Sequence, residues 1–131
     1  MIDGDTIELR DGRLVRYIGI DTPEVRRRVG GRWVEDPEPF GRAAATANRA
    51  LVEGRTVRLE YDVEYFDRYG RLLAYVYVTR PDGSEMTVNE RLVSEGTAQP
   101  LTIPPNVRYV ERFRAAVERA RREGRGLWGR R

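Results

Sequence analysis

The run Leu72–Val78 (Leu-Leu-Ala-Tyr-Val-Tyr-Val) limits the fold more than any other feature of the sequence. Successive side chains of a strand point to opposite faces, so a run that is apolar at both parities has no face for water. It reads as a central strand, and the rest of the chain must cover it. Upstream, Ile7 and Leu9 alternate with Thr6, Glu8 and Arg10, Asp11-Gly12 supplies turn chemistry, and Leu14 to Ile20 resumes an extended apolar pattern. That combination predicts a hairpin. Val57, Leu59 and Tyr61 share one parity against Arg58, Glu60 and Asp62, which predicts a further strand. Turns around Tyr69-Gly70 and Asp82-Gly83 bracket the central run.

Three stretches carry helical spacing. Phe40, Ala43, Ala44, Ala47 and Leu51 fall on one face, with Gly54 where a stop belongs. Val88, Leu92 and Val93 make a short helix that Gly96 ends. Val110, Phe113, Val117 and Ala120 repeat at helical intervals, Glu118 is spaced to reach Arg121 and Arg122, and Gly124 closes the helix. Leu127 and Trp128 fold back as an apolar cap. Val25 to Pro39 reads as one long irregular loop, and Thr97 to Val107 as a Pro-interrupted one. The order predicts one domain over residues 1–131. Its class is α+β, mainly β, with a closed or nearly closed five-stranded barrel.

Composition narrows the chemistry. The chain of 131 residues holds no histidine and no cysteine, and every one of its 24 basic residues is arginine. Disulfides, Cys/His zinc sites and imidazole-assisted nucleophiles are excluded. Catalysis must therefore come from carboxylates, arginines, hydroxyls, a metal or water. No apolar run approaches a membrane span, and the N-terminus carries no signal-peptide pattern. Arginine offers a planar fork suited to phosphate, yet a net charge of +3 is too small to argue nucleic-acid binding by itself.

Two charges stand out by parity. Asp5 shares its face with Ile7 and Leu9, and Arg16 shares its face with Leu14, Ile18 and Ile20. Either the strand ends reach water or the two pair, or a polar site is cut into the barrel mouth, because an unpartnered buried charge is costly. Asp21-Thr22-Pro23-Glu24 follows at once, with Pro23 ending the strand. Asp5, Asp21 and a backbone carbonyl would make an all-oxygen cluster suited to calcium, with water and a substrate phosphate completing the shell. Arg16 and Arg71 are candidates to clamp that phosphate, with Glu24 as a spare carboxylate.

The chain resembles the staphylococcal nuclease (thermonuclease) family over essentially its whole length. The resemblance is carried by Ile2-Asp3-Gly4-Asp5-Thr6, by Arg16-Tyr17-Ile18-Gly19-Ile20-Asp21-Thr22-Pro23-Glu24 and by Asp67-Arg68-Tyr69-Gly70-Arg71-Leu72-Leu73-Ala74-Tyr75. Val88-Asn89-Glu90-Arg91-Leu92-Val93 and Gly126-Leu127-Trp128 complete it. It implies an OB-fold barrel with three helices and calcium-dependent hydrolysis of phosphodiester bonds in DNA and RNA. The P–O5′ bond would be cut and a 3′-phosphate left. By motif, Asp5, Asp21 and the Thr22 carbonyl match calcium ligands, and Arg16 and Arg71 match the arginines on the scissile phosphate. Glu24 matches the carboxylate assigned to activating water. Arg68 and Tyr69 match a Lys-Tyr pair on a neighbouring phosphate, with arginine replacing lysine.

The implied partners are single-stranded or frayed DNA and RNA, with no membrane, and the implied location is secreted or cell-envelope. Two departures stand beside the resemblance. The chain begins almost inside its first motif, so the first strand reads as truncated. A monomer is expected, with pairing through that open edge as the alternative. A tyrosine pair of the family aligns with Leu101 and Ile103. The alternative function is a non-catalytic OB-fold nucleic-acid-binding module, and a structural scaffold is a third reading. Retention of Asp5, Arg16, Asp21, Glu24 and Arg71 favours the nuclease.

Overall fold

The computed structural model describes residues 3–23, 26–29, 32–35 and 40–129. Strands β1 (Thr6–Glu8) and β2 (Leu14–Tyr17) form the expected antiparallel hairpin, with Thr6 opposite Arg16. β3 (Ile20–Asp21) follows a turn at Ile18 and Gly19. β4 (Arg26–Val29) and β5 (Arg32–Glu35) pair antiparallel. That hairpin corrects the reading of Val25–Pro39 as one irregular loop. Arg-Arg-Arg-Val and Arg-Trp-Val-Glu lack an apolar–polar alternation, so their pairing leaves no periodic trace in the sequence. The remainder of that stretch lies outside the described residues.

Next come helix α1 (Gly41–Val52), β6 (Arg58–Glu60), β7 (Leu72–Thr79), β8 (Glu85–Thr87), helix α2 (Val88–Ser94), β9 (Gln99–Pro100) and helix α3 (Val110–Glu123). A 3-10 turn at Gly126–Trp128 follows. The fold is α+β, with a five-stranded mixed sheet and three helices among the described residues. β7 is central, as its double-faced apolar pattern requires. Its first half pairs parallel with β2, its middle antiparallel with β6, and its end antiparallel with β8. Leu72, Ala74, Tyr75, Val76, Tyr77 and Val78 are all buried.

The helices close over this sheet. Phe113, Ala116, Val117 and Ala120 bury one face of α3, and Gly124 caps it in the left-handed conformation (φ 64°). On α2, the buried Asn89 accepts the Val76 N–H at 2.9 Å and donates to the Ile18 carbonyl at 2.8 Å. It thereby ties the β2–β3 turn to the central strand. In α1 the buried face is Gly41, Ala44, Ala45, Asn48 and Val52, whereas Phe40 precedes the helix and is exposed. The apolar spacing predicts a face rotated from this one. Its centre is polar, because Asn48 accepts the Tyr17 hydroxyl and donates to the Asp3 carbonyl at 3.0 Å. The predicted loop from Thr97 to Val107 contains β9, which pairs Ile20 with Pro100 and Asp21 with Gln99. No helix among the described residues is long and apolar enough to cross a membrane.

Candidate active site

The register of β2 against β7 brings two arginines to one end of the sheet. Val15 lies beside Leu72 and Arg16 beside Leu73, so Arg71, one residue before β7, falls next to the same rim. Both line an open cleft of about 450 Å³ together with Arg68, Tyr69, Leu101 and Ile103.

The parity expectation for Arg16 needs correction. Val15 and Tyr17 take the core side of β2, both almost fully buried, so Arg16 lies on the other face. The strand ends at Tyr17, and the turn at Ile18 and Gly19 breaks the parity that would carry it to Ile20. The anticipated pairing with Asp5 does occur. Arg16 Nη1 donates to the carbonyls of Tyr17 (2.7 Å) and Ile20 (3.0 Å). Its Nη2 lies 3.4 Å from Asp5 Oδ2 and 3.6 Å from Asp21 Oδ1. One guanidinium nitrogen therefore stands between the two aspartates. The Arg16 side chain is 15% exposed and that of Asp5 11%, whereas Asp21 is 59% exposed.

Local contacts hold the Asp5 carboxylate. The Thr6 hydroxyl donates to Oδ1 at 3.1 Å and the Thr22 N–H to Oδ2 at 3.3 Å. A Cβ on Gly4 would lie 2.7 Å from Ala44 Cβ and 2.8 Å from Thr22 Oγ1, so glycine is what lets α1 and Thr22 close on this corner. Thr22 is buried, and its hydroxyl oxygen has no hydrogen-bond partner. Asp21 is fixed from its other side by the pairing of β3 with β9. Among the described residues, no three or more His, Cys, Asp or Glu side chains gather as a metal cluster. The oxygens of Asp5, Asp21 and Thr22 fit a hard cation, but as a sparse set that needs outside ligands. Glu24 lies outside the described residues.

Across the cleft, Arg71 is oriented by Asp67. Asp67 Oδ2 accepts Arg71 Nε–H at 2.7 Å, and Oδ1 accepts the backbone N–H groups of Tyr69 (2.9 Å) and Arg71 (3.0 Å). Burial pushes the Asp67 carboxyl up, but the hydrogen bonds from Arg71 and Tyr69 outweigh it and hold it below the usual carboxylate range. Asp67 was legible only as part of a motif, and its orienting contact is the signal: an aspartate four residues before an arginine across a Tyr-Gly turn. Arg68 donates to the Tyr69 hydroxyl at 2.8 Å, and Tyr69 is 69% exposed with both Arg68 and Arg71 near its ring. Asn106 was not anticipated. Its buried side chain accepts the Glu64 N–H at 2.8 Å and donates to the Glu64 carbonyl at 3.0 Å, joining the two walls of the cleft.

The family model described as staphylococcal nuclease homologue matches residues 14–130. The chain belongs to that family. It is 39% identical to a thermonuclease of Staphylococcus hyicus, over 98% of this chain and 72% of the relative. It is 37% identical to endonuclease YncB of Bacillus subtilis, over 97% of this chain and 58% of the relative. An uncharacterized endonuclease of Escherichia coli is 35% identical, over 98% of this chain and 72% of the relative. These staphylococcal nuclease relatives support a nuclease, and so a hydrolase of the endonuclease kind.

Proposed function

We propose that this protein is a calcium-dependent endonuclease that hydrolyses the P–O5′ bond of DNA and RNA and leaves a 3′-phosphate. The observation that carries the reading is the convergence of Arg16 and Arg71 on one cleft, with Asp5 and Asp21 gathered at Arg16. Two arginines lining one cleft suit a phosphodiester that gains charge on its oxygens during attack.

In this reading the Asp5 and Asp21 carboxylates and the Thr22 carbonyl hold the cation. Bound there, calcium supplies Lewis-acid polarisation of a phosphate oxygen and charge neutralisation. Arg71 commits its Nε–H to Asp67, which leaves its terminal NH2 groups for a phosphate oxygen. Arg16 reaches the same phosphate from β2. Glu24 accepts the proton of the attacking water as the oxygen bonds to phosphorus, and the 5′-oxygen departs with a proton from solvent. Arg68 and Tyr69 contact the neighbouring phosphate.

Incubation with single-stranded DNA and RNA, in calcium or in chelator, tests the reading. Cleavage should need calcium and leave 3′-phosphate ends. Arg16→Ala and Arg71→Ala should each lower turnover at saturating substrate by about 10²–10³-fold. Binding without cleavage in calcium would favour the binding-module alternative and overturn this proposal.

A further inference from the structure

A second arginine-lined groove opens at the far end of β7. β6 begins at Arg58, opposite Tyr77, whereas β7 runs on to Thr79. Where the two strands part, residues 55–58 on one side and 79–81 on the other line an open groove of about 500 Å³. The buried Tyr77 is its floor, with the Arg58 guanidinium 4.1 Å from the ring centre. Glu85 is the one acidic side chain in the lining, and Arg58 holds it through Nε and Nη2, both at 2.8 Å. Arg55 and Arg80 add two exposed charges, and among the described residues neither forms an ion pair with a carboxylate. Arg80 Nη1 donates to Ser84 Oγ at 3.3 Å and to the Glu85 carbonyl at 3.2 Å. The nearby Asp82 carboxylate accepts the Ser84 N–H and hydroxyl instead. By contrast, Arg91, Arg108, Arg112 and Arg114 each meet a carboxylate. The groove therefore presents cationic charge that the fold leaves unpaired.

The central strand connects this groove to the arginine cleft. Alternate residues of a strand share a face, so Leu73, Tyr75, Tyr77 and Thr79 lie on one side of β7. Leu73 lines the cleft, and Tyr77 and Thr79 line the groove. Six residues at about 3.3 Å each separate the two by about 20 Å along that side. Between them Arg108 lies over the carboxylates of Glu60 (3.2 Å) and Asp62 (3.9 Å) and is the most exposed of the three. A guanidinium takes a phosphate through its forked N–H donors, and a polynucleotide repeats that phosphate at every residue. We propose that the groove holding Arg55 and Arg80 is a second phosphate site, which binds the backbone of the same polynucleotide whose scissile phosphate lies in the cleft. The ligand is the phosphodiester chain, gripped by charge and not by base. At about 3.4 Å per phosphate of a stacked strand, about 20 Å corresponds to about six nucleotide steps. A trinucleotide can fill the cleft without reaching the groove, so the site favours longer polymers. The proposal rests on the nuclease reading for the place of the scissile phosphate.

The test is equilibrium binding in chelator over a range of salt, followed by fluorescence anisotropy. The probes are labelled thymidine strands of about 12 nucleotides and of three, each titrated to saturation. Arg55→Gln with Arg80→Gln should weaken binding of the long strand about fivefold or more and change that of the trinucleotide less than about twofold. Two lost phosphate contacts should also flatten the slope of log K against log salt on the long strand by about 1.4. Arg119→Gln with Arg122→Gln removes the same charge from the exposed side of α3, away from groove and cleft, and should change long-strand binding less than about twofold. Arg55→Lys with Arg80→Lys should keep most of the slope, which separates loss of charge from loss of the turn contacts of Arg80. An unchanged long strand, equal weakening by the α3 pair, or equal weakening of the trinucleotide overturns the second site. Cleavage in calcium is scored separately. Absence of cleavage with the length dependence intact would sink the nuclease reading and leave the backbone site standing.

Discussion

Replacing Asp67 with asparagine asks whether Arg71 works only when held. Asparagine keeps one carbonyl oxygen for the turn N–H groups of Tyr69 and Arg71, but it sets an uncharged amide against the guanidinium now bonded at 2.7 Å. A hydrogen bond between charged groups contributes about 1.5–3 kcal/mol net. With the Arg71 side chain 29% exposed and that of Asp67 16%, solvent screening brings the expected loss to about 1 kcal/mol. At a slope of about 2 kcal/mol per molar urea, the midpoint falls by about 0.5 M. The effect on turnover is larger, because a group displaced by about 1 Å can forfeit about 10²-fold in rate. Single-turnover cleavage of a defined oligonucleotide should fall about 10–100-fold, with KM changed much less. The sign with pH follows from the depressed Asp67 pKa. Its stabilisation is complete above the unfolded carboxylate value of about 3.9 and is lost as pH falls through the lower folded value. Asp67→Asn should remove that part of the acid destabilisation. A variant with parental turnover would refute the positioning role, and a parental urea midpoint would refute the stabilising one.

Three further outcomes are expected. Glu60 accepts the hydroxyls of Tyr77 (2.7 Å) and Tyr109 (2.8 Å) and Arg108 Nη1 (3.2 Å). Burial pushes its carboxyl up, but these donors hold it below the usual range, so its stabilisation is lost as pH drops below about 4.3. Glu60→Gln should flatten the fall of Tm between neutral and acid pH, and an unchanged slope would discount the network. At Gly19 (φ +83°), a Cβ would lie 2.5 Å from the buried Phe113 ring. Gly19→Ala should lower stability by about 1–3 kcal/mol in urea unfolding, and a parental midpoint would show that the turn can relax. Leu101→Tyr with Ile103→Tyr adds rings to one wall of the cleft and should tighten nucleotide binding in a fluorescence titration with little change in maximal rate. Unchanged affinity would mean that this wall does not meet a base.

Local periodicity and turn chemistry were enough to find the β1–β2 hairpin, the double-faced β7 and α3 with its Gly124 cap, because each depends on residues close in the chain. Arg16, Arg68, Tyr69 and Arg71, which line one cleft, could each be singled out by motif. Other features could not. The face of α1 turns on Asn48, a polar residue buried by partners near the N-terminus that no apolar pattern reveals. The β4–β5 hairpin forms from segments whose side chains do not alternate. Arg16 meets Asp5 through the local β1–β2 hairpin, but it shares a cleft with Arg71 because β2 lies parallel to β7, a register that no local segment specifies. The Asn106–Glu64 clamp joins residues 42 positions apart. Hydrophobic spacing and turn propensity act over a few residues, and so the sequence by itself determined the elements and the chemical inventory. The directions in which the charges meet, and which rings stay bare, depend on how distant strands settle against one another, and only the tertiary structure decided them.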